Sequence, residues 1–256
     1  MCGIAAVFLY PQERKPSEWD AIREMFTRNL VFNEDRGREA TGCAIVGRDG
    51  QVRLQKMPVP ASQFVTTPEY RSLLGSIDST STLILGHTRL PTQGDPALAS
   101  NNHPLKAGPV YGIHNGQVNN ADDLFARFGL PRDGEVDSEI IFRFLETICP
   151  TGTVGDYLMA VRPLIRLLDG QFTFLACDQR RPERLLVLKH NTPLCARYLR
   201  DWKILIFSSR YICLRKVFEN NVFTQVLPPD RLLLFEAAFL PEAALRPAAA
   251  LKLYEE

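Results

Sequence analysis

Net charge is almost absent from this 256-residue chain: 30 lysines and arginines stand against 29 aspartates and glutamates, a formal +1. No field of one sign gathers nucleic acid or an acidic membrane surface, so neither is expected as a partner, and small neutral or zwitterionic substrates remain open. Long apolar runs are missing too. Segments such as Ile204 to Phe207 and Leu232 to Phe235 fall far short of the roughly 20 residues a spanning helix needs. There is no CxxC pair; Cys2, Cys43, Cys149, Cys177, Cys195 and Cys213 stand singly, which argues against a zinc ribbon or a thioredoxin-type motif. The four histidines, His87, His103, His114 and His190, make no pair at i, i+3 or i+4 and have no acidic cluster beside them. No metal is expected. GxxxxGK and GxGxxG loops are lacking, and no cofactor is expected. Without a basic and apolar leader, a reducing cytoplasm is the expected setting and disulfides are not.

What is present is enough hydrophobic residue, 45% with 23% charged, to bury a sizeable core. No repeat, low-complexity tract or long Gly/Ser linker divides the chain, so residues 1–256 are expected as one domain with a short tail from about residue 235. Strand-like segments recur at Cys2 to Leu9, Thr41 to Val46, Val52 to Met57, Thr82 to His87, Pro109 to His114, Gly170 to Cys177, Arg184 to Lys189, Lys203 to Ser208 and Arg231 to Phe235. Helical patterns are fewer, at Ser17 to Asn33, Thr67 to Leu74, Asn120 to Phe128, Ser138 to Ile148 and Val154 to Leu168. The Asp49-Gly50 step between two strand segments signals a tight turn and antiparallel pairing. Continuous apolar strands in antiparallel pairs are explained if two sheets pack face to face with helices outside, a four-layer αββα sandwich of the α+β class.

Five of the cysteines read as small apolar residues in core-like runs. Cys2 differs, because it follows the initiator methionine and precedes Gly3. Trimming of Met1 would give one residue both a thiol, with a free pKa of about 8.5, and an α-amine titrating at about 7.7 to 8.0. Such a residue carries its own base: the amine accepts the proton as the thiol attacks a carbonyl.

Four further stations accompany Cys2. Arg36-Gly37 precedes Thr41-Gly42; Gly86-His87-Thr88-Arg89 leads to Thr92-Gln93-Gly94; His114-Asn115-Gly116 is followed by Asn119; and Asp137-Ser138-Glu139 opens an apolar helix. In order and spacing they resemble the glutaminase domain of the class II glutamine amidotransferases, which are N-terminal nucleophile hydrolases. The resemblance runs from Cys2 to about Leu234, with softer matches at Leu168-Asp169-Gly170, Pro193-Leu194 and Phe207-Ser208-Ser209.

By that resemblance Cys2 is the nucleophile, and Asn115 Nδ2 with the Gly116 N–H stabilise the oxyanion, a charge that needs prealigned donors. On its own an Asn-Gly pair signals a hairpin turn, and here the turn would present the donors at a strand end. Arg89 would grip the α-carboxylate of glutamine through its guanidinium fork, and Asp137 would accept the α-ammonium, a role that an aspartate before a helix can combine with N-capping. The stretch Leu90 to Ala97 resembles a loop that closes over bound glutamine, with Thr92 hydrogen-bonding it. Arg36 and Gly37 support the site, and His87 and His103 brace it by hydrogen bonding. Leu90 and Gln93 depart from the family pattern, which bears on loop closure and its coupling to a second site.

The resemblance therefore implies hydrolysis of L-glutamine to glutamate and ammonia. Because the match reaches nearly to the end of this sequence and no synthase motif is found, a free-standing glutaminase feeding a separate ammonia-accepting synthase subunit is the leading expectation. An independent γ-glutamyl amide hydrolase and a non-catalytic regulatory domain are the alternatives.

Overall fold

A computed structural model of the chain describes residues 1–219 and 224–254. Among these residues the strands form two antiparallel sheets. The first runs in the order β11 (Gln225–Val226), β9 (Cys195–Leu199), β10 (Ile204–Ser208), β1 (Gly3–Leu9), β4 (Ser81–Arg89), β2 (Ala40–Gly47), β3 (Val52–Met57). The second runs β13 (Ala249–Lys252), β12 (Arg231–Glu236), β8 (Arg181–Lys189), β7 (Gly170–Asp178), β6 (Val110–Val118), β5 (Leu105–Ala107). On the outer face of the first sheet lie α1 (Pro16–Phe32), α2 (Ala61–Phe64), α3 (Pro68–Gly75) and α7 (Tyr211–Phe218); α4 (Ala121–Phe128), α5 (Glu139–Glu146) and α6 (Val154–Ile165) cover the second.

Residue alternation on β1 shows why this layering follows from the sequence. Ile4, Ala6 and Phe8 turn inward to meet Ile113, Leu175, Val187 and Phe235 of the facing sheet. Ala5, Val7 and Leu9 turn outward to Ile22, Phe26 and Leu30 of α1. A strand covered on both faces has no polar side, so it reads as the unbroken run GIAAVFL. The αββα arrangement is the one expected.

Several details differ from the sequence reading. Asn115 and Gly116 do not form a hairpin turn; they lie inside β6, opposite Thr173 and Phe172 of β7, and the strand continues to Val118. Ladder pairing with β7 overrides the local turn signal. The tail after about residue 235 folds back through α8 (Leu240–Ala243) into β13, which pairs with β12; its last two residues lie outside those described. Cys149 is exposed in the connection from α5 to α6, beyond the end of α5, whereas Cys43, Cys177, Cys195 and Cys213 are buried. No helix among the described residues is long and apolar enough to cross a membrane.

Candidate active site

Cys2 stands one residue before β1, whose Gly3 pairs with Thr88 of β4. The approach is tight: a Cβ on Gly3 would lie 2.3 Å from Thr88 Oγ1 and 2.8 Å from the Asn33 carbonyl oxygen. Ile4 N–H donates to Ser209 Oγ at 2.8 Å, Ser209 N–H donates to the Ile4 carbonyl at 3.0 Å, and Arg36 Nε donates to the Cys2 carbonyl at 2.6 Å. The backbone around Cys2 is thus fixed before any ligand arrives. Gly37, next along, lets that segment close onto the end of β4, since a Cβ there would meet the Arg89 carbonyl carbon at 2.2 Å.

The Cys2 thiol is half-buried and points to the Leu90 carbonyl, Sγ to O 3.6 Å. Burial raises its pKa, opposed by the Leu90 hydrogen bond, the terminal ammonium and the Arg89 and Arg36 cations. It opens on a cleft of about 330 Å³ whose other walls are Met1, Leu90, Thr92, Gly116, Gln117, Asn119 and Gln171. Two of the expected partners, Thr92 and Gly116, therefore share that cleft with Cys2. Gly116 has φ +140°, and a Cβ there would lie 1.7 Å from the Gln171 carbonyl oxygen, so only glycine fits. Phe172, opposite it, donates its N–H to Asn191 Oδ1 at 3.0 Å and accepts at its carbonyl from His190 N–H at 3.2 Å, so ladder bonds do not join the Gly116–Phe172 pair.

Asn115, one residue earlier, is fully buried, yet neither Nδ2 nor Oδ1 has a hydrogen-bond partner among the described residues. A buried amide left open in this way is costly in a resting fold and is available to a ligand.

Arg89, at the end of β4, and Asp137, just before α5, are both buried. Burial lowers the Arg89 pKa, while Cys2 and Asp137 raise it, so the three groups lie within electrostatic reach of one another. Asp137 Oδ2 accepts from Val118 N–H at 2.5 Å; Oδ1 accepts from Ser138 N–H at 2.9 Å and from Ser138 Oγ at 3.3 Å. This corrects the expected N-cap: the carboxylate is spent on β6 and on its neighbour, and Ser138 holds the cap position. Of the four lone-pair directions on the carboxylate, one on Oδ2 stays open to a cation.

Histidines tie the sheets together here. His87 Nε2 meets the His114 carbonyl at 2.8 Å, and His114 Nδ1 meets Ser138 Oγ at 2.7 Å. His103 does not hydrogen-bond as expected. Neither of its ring nitrogens has a partner among the described residues; it packs on the His87 ring, centroids 4.3 Å apart. Among the described residues no group of three or more His, Cys, Asp or Glu could hold a metal ion.

Gln117, Asn102 and Gln171 were not singled out from sequence. Gln117 and Gln171 are register partners on β6 and β7, a relationship invisible until the strands are paired.

No protein-family model matches the chain. It is 30% identical over 202 residues to a glutamine–fructose-6-phosphate aminotransferase (isomerizing) from Mycolicibacterium paratuberculosis, a match covering 76% of this chain and 30% of that one. The chain thus spans less than a third of that relative's length. Among solved structures it superposes on the glutamine phosphoribosylpyrophosphate amidotransferase of B. subtilis with a TM-score of 0.70 at 15% identity, over 100% of this chain and 50% of the other. It also superposes on a glutamine aminotransferase class-II domain protein from Silicibacter pomeroyi, TM-score 0.60 at 18% identity, over 99% and 100% of the two chains. The chain thus has the fold of a class-II glutamine aminotransferase domain and a sequence similar to part of a glutamine-using aminotransferase. The fold brings the start of β1 beside the Asn-Gly segment within β6, so that one strand from each sheet contributes to the cleft.

Proposed function

We propose that the cleft hydrolyses the side-chain amide of L-glutamine through a thioester on Cys2 and releases ammonia to an acceptor bound by a separate synthase. The observation that carries this reading is the shared cleft of Cys2 and Gly116, with buried Arg89 and Asp137 nearby. In this account the chain acts in a reducing cytoplasm with Met1 removed. The Cys2 α-amine takes the thiol proton as sulfur attacks the amide carbon, and returns it to the departing ammonia. Water then cleaves the thioester to glutamate.

Oxyanions in both half-reactions are received by Asn115 Nδ2 and the Gly116 N–H. The open amide of Asn115 and the glycine-only backbone at 116 support those roles. Arg89 takes the α-carboxylate and Asp137, through its remaining Oδ2 direction, the α-ammonium. Thr92 adds a hydrogen bond, Arg36 and Gly37 hold the nucleophile's backbone, and His87 braces the pocket by hydrogen bonding while His103 does so only by packing on the His87 ring. Ammonia transfer to a partner is supported by the aminotransferase relative, in which the matched segment is joined to a much longer chain. The test is glutamate release from L-glutamine by the mature chain and by Cys2→Ala, with and without a candidate synthase. Release that depends on Cys2 and rises with the partner supports the reading. Release independent of Cys2 contradicts it.

A further inference from the structure

Arg89 is a buried cation whose direct hydrogen-bond partners, among the described residues, are all neutral oxygens. Nη1 donates to Asn102 Oδ1 at 2.7 Å, and Nη2 donates to the carbonyls of Gln93 at 2.6 Å and Gly94 at 2.9 Å. A guanidinium grips a carboxylate with two parallel bonds along one of two edges, Nε with Nη2 or Nη1 with Nη2. Both edges include Nη2, and Nη2 is the nitrogen held by the loop carbonyls. A two-bond grip on a substrate carboxylate therefore requires residues 93 and 94 to move away. Asn102 would then be the contact that still fixes the guanidinium. It is itself well anchored: it is 2% exposed, its Nδ2 donates to the Pro96 carbonyl at 2.7 Å, and its own carbonyl accepts from Lys56 Nζ at 2.9 Å.

We propose that Asn102 is a positioning residue for α-carboxylate recognition: it holds the Arg89 guanidinium in plane while the 93–94 carbonyls give way, and through Pro96 it links that exchange to the position of the loop. The inference deepens the glutaminase reading and rests on it. Its signature is selectivity. Removing Asn102 weakens only substrates that carry the α-carboxylate, because the amide end and the α-ammonium are read by other groups.

The test compares L-glutamine with 4-aminobutanamide, which is glutamine without its α-carboxylate. For Asn102→Ala, kcat/KM on L-glutamine is expected to fall at least tenfold, through KM, while the value on 4-aminobutanamide changes less than twofold. Arg89→Ala combined with Asn102→Ala is expected to be no worse than Arg89→Ala alone. Equal losses on the two substrates, or additive losses in the double variant, would overturn the proposal. If Asn102→Ala does not fold, as judged by thermal melting, Asn102→Ser supplies the same ratio. Calorimetric binding to the Cys2→Ala chain separates this inference from the hydrolytic reading. Glutamine binding that Asn102→Ala weakens upholds the positioning role, and if the parent chain with Cys2 intact nevertheless hydrolyses no glutamine, the chemistry alone is overturned. Glutamine binding unaffected by Asn102→Ala sinks the positioning role alone, and no glutamine binding at all overturns both.

Discussion

The Val118 N–H donates to Asp137 Oδ2 at 2.5 Å, which ties the buried carboxylate to the strand that carries Asn115 and Gly116. The proposed ammonium acceptor and the proposed oxyanion donors are therefore parts of one rigid unit. Changing the charge of Asp137 while keeping its shape tests the acceptor without dismantling the strand. Asp137→Asn is expected to raise KM for L-glutamine by about 10- to 100-fold, the value of a hydrogen bond to a charged group at roughly 1.5–3 kcal/mol. Steady-state kinetics checks it; an unchanged KM would place the α-ammonium elsewhere.

Asn115→Ala removes an amide that makes no side-chain hydrogen bond among the described residues. Its stability cost is accordingly small, and its catalytic cost large: kcat is expected to drop about 10² to 10³-fold, the usual loss for one oxyanion donor. Thermal melting and kcat measured on the same sample separate the two effects. A normal kcat would remove Asn115 from the reaction.

Gly116→Ala acts in the opposite way. The φ of +140° alone costs an alanine about 1–3 kcal/mol, and its Cβ would overlap the Gln171 carbonyl oxygen at 1.7 Å. Denaturant unfolding is expected to show a clear loss of stability together with loss of activity. A variant as stable as the parent would mean that β6 tolerates a side chain there.

Much of the layered fold could be read from the chain because strands buried on both faces leave unbroken apolar runs, as in β1. The strands that escaped notice are short or peripheral. β9 carries Arg197 and Tyr198, and β11 has only two exposed residues, so neither leaves a pattern. Within the site, Cys2, Gly116 and Thr92 were legible through motif spacing. Asn115-Gly116 as part of a strand was not, because local composition favours a turn and only pairing with β7 decides otherwise. Asn102 was illegible for a related reason: its role comes from contacts with Arg89 and Pro96, and polar residues before a His-Pro step carry no signal of that.

Acid should destabilise the fold through its buried histidines. Burial lowers the His87 pKa to about 3 and also lowers those of His103 and His114. An unfolded histidine titrates near 6.5. Between those values the unfolded chain binds more protons than the folded one, so stability falls as pH drops below about 6.5. Urea midpoints at pH 7, 6, 5 and 4 are expected to decline, with a shallower slope for His87→Gln. Identical slopes would show that His87 does not stay neutral in the fold.

The proton acceptor in the proposed mechanism is the amine of Cys2, so an uncleavable extension before that residue should abolish glutamine turnover while leaving the melting temperature unchanged. An extended chain with full activity would require another base.

The central claim is tested most directly by intact and peptide mass spectrometry of the purified chain before and after treatment with an electrophilic glutamine analogue. The account predicts a mature chain lacking Met1 and a single adduct on Cys2, suppressed by excess L-glutamine. An adduct on exposed Cys149, or none on Cys2 in a chain that still hydrolyses glutamine, would contradict it.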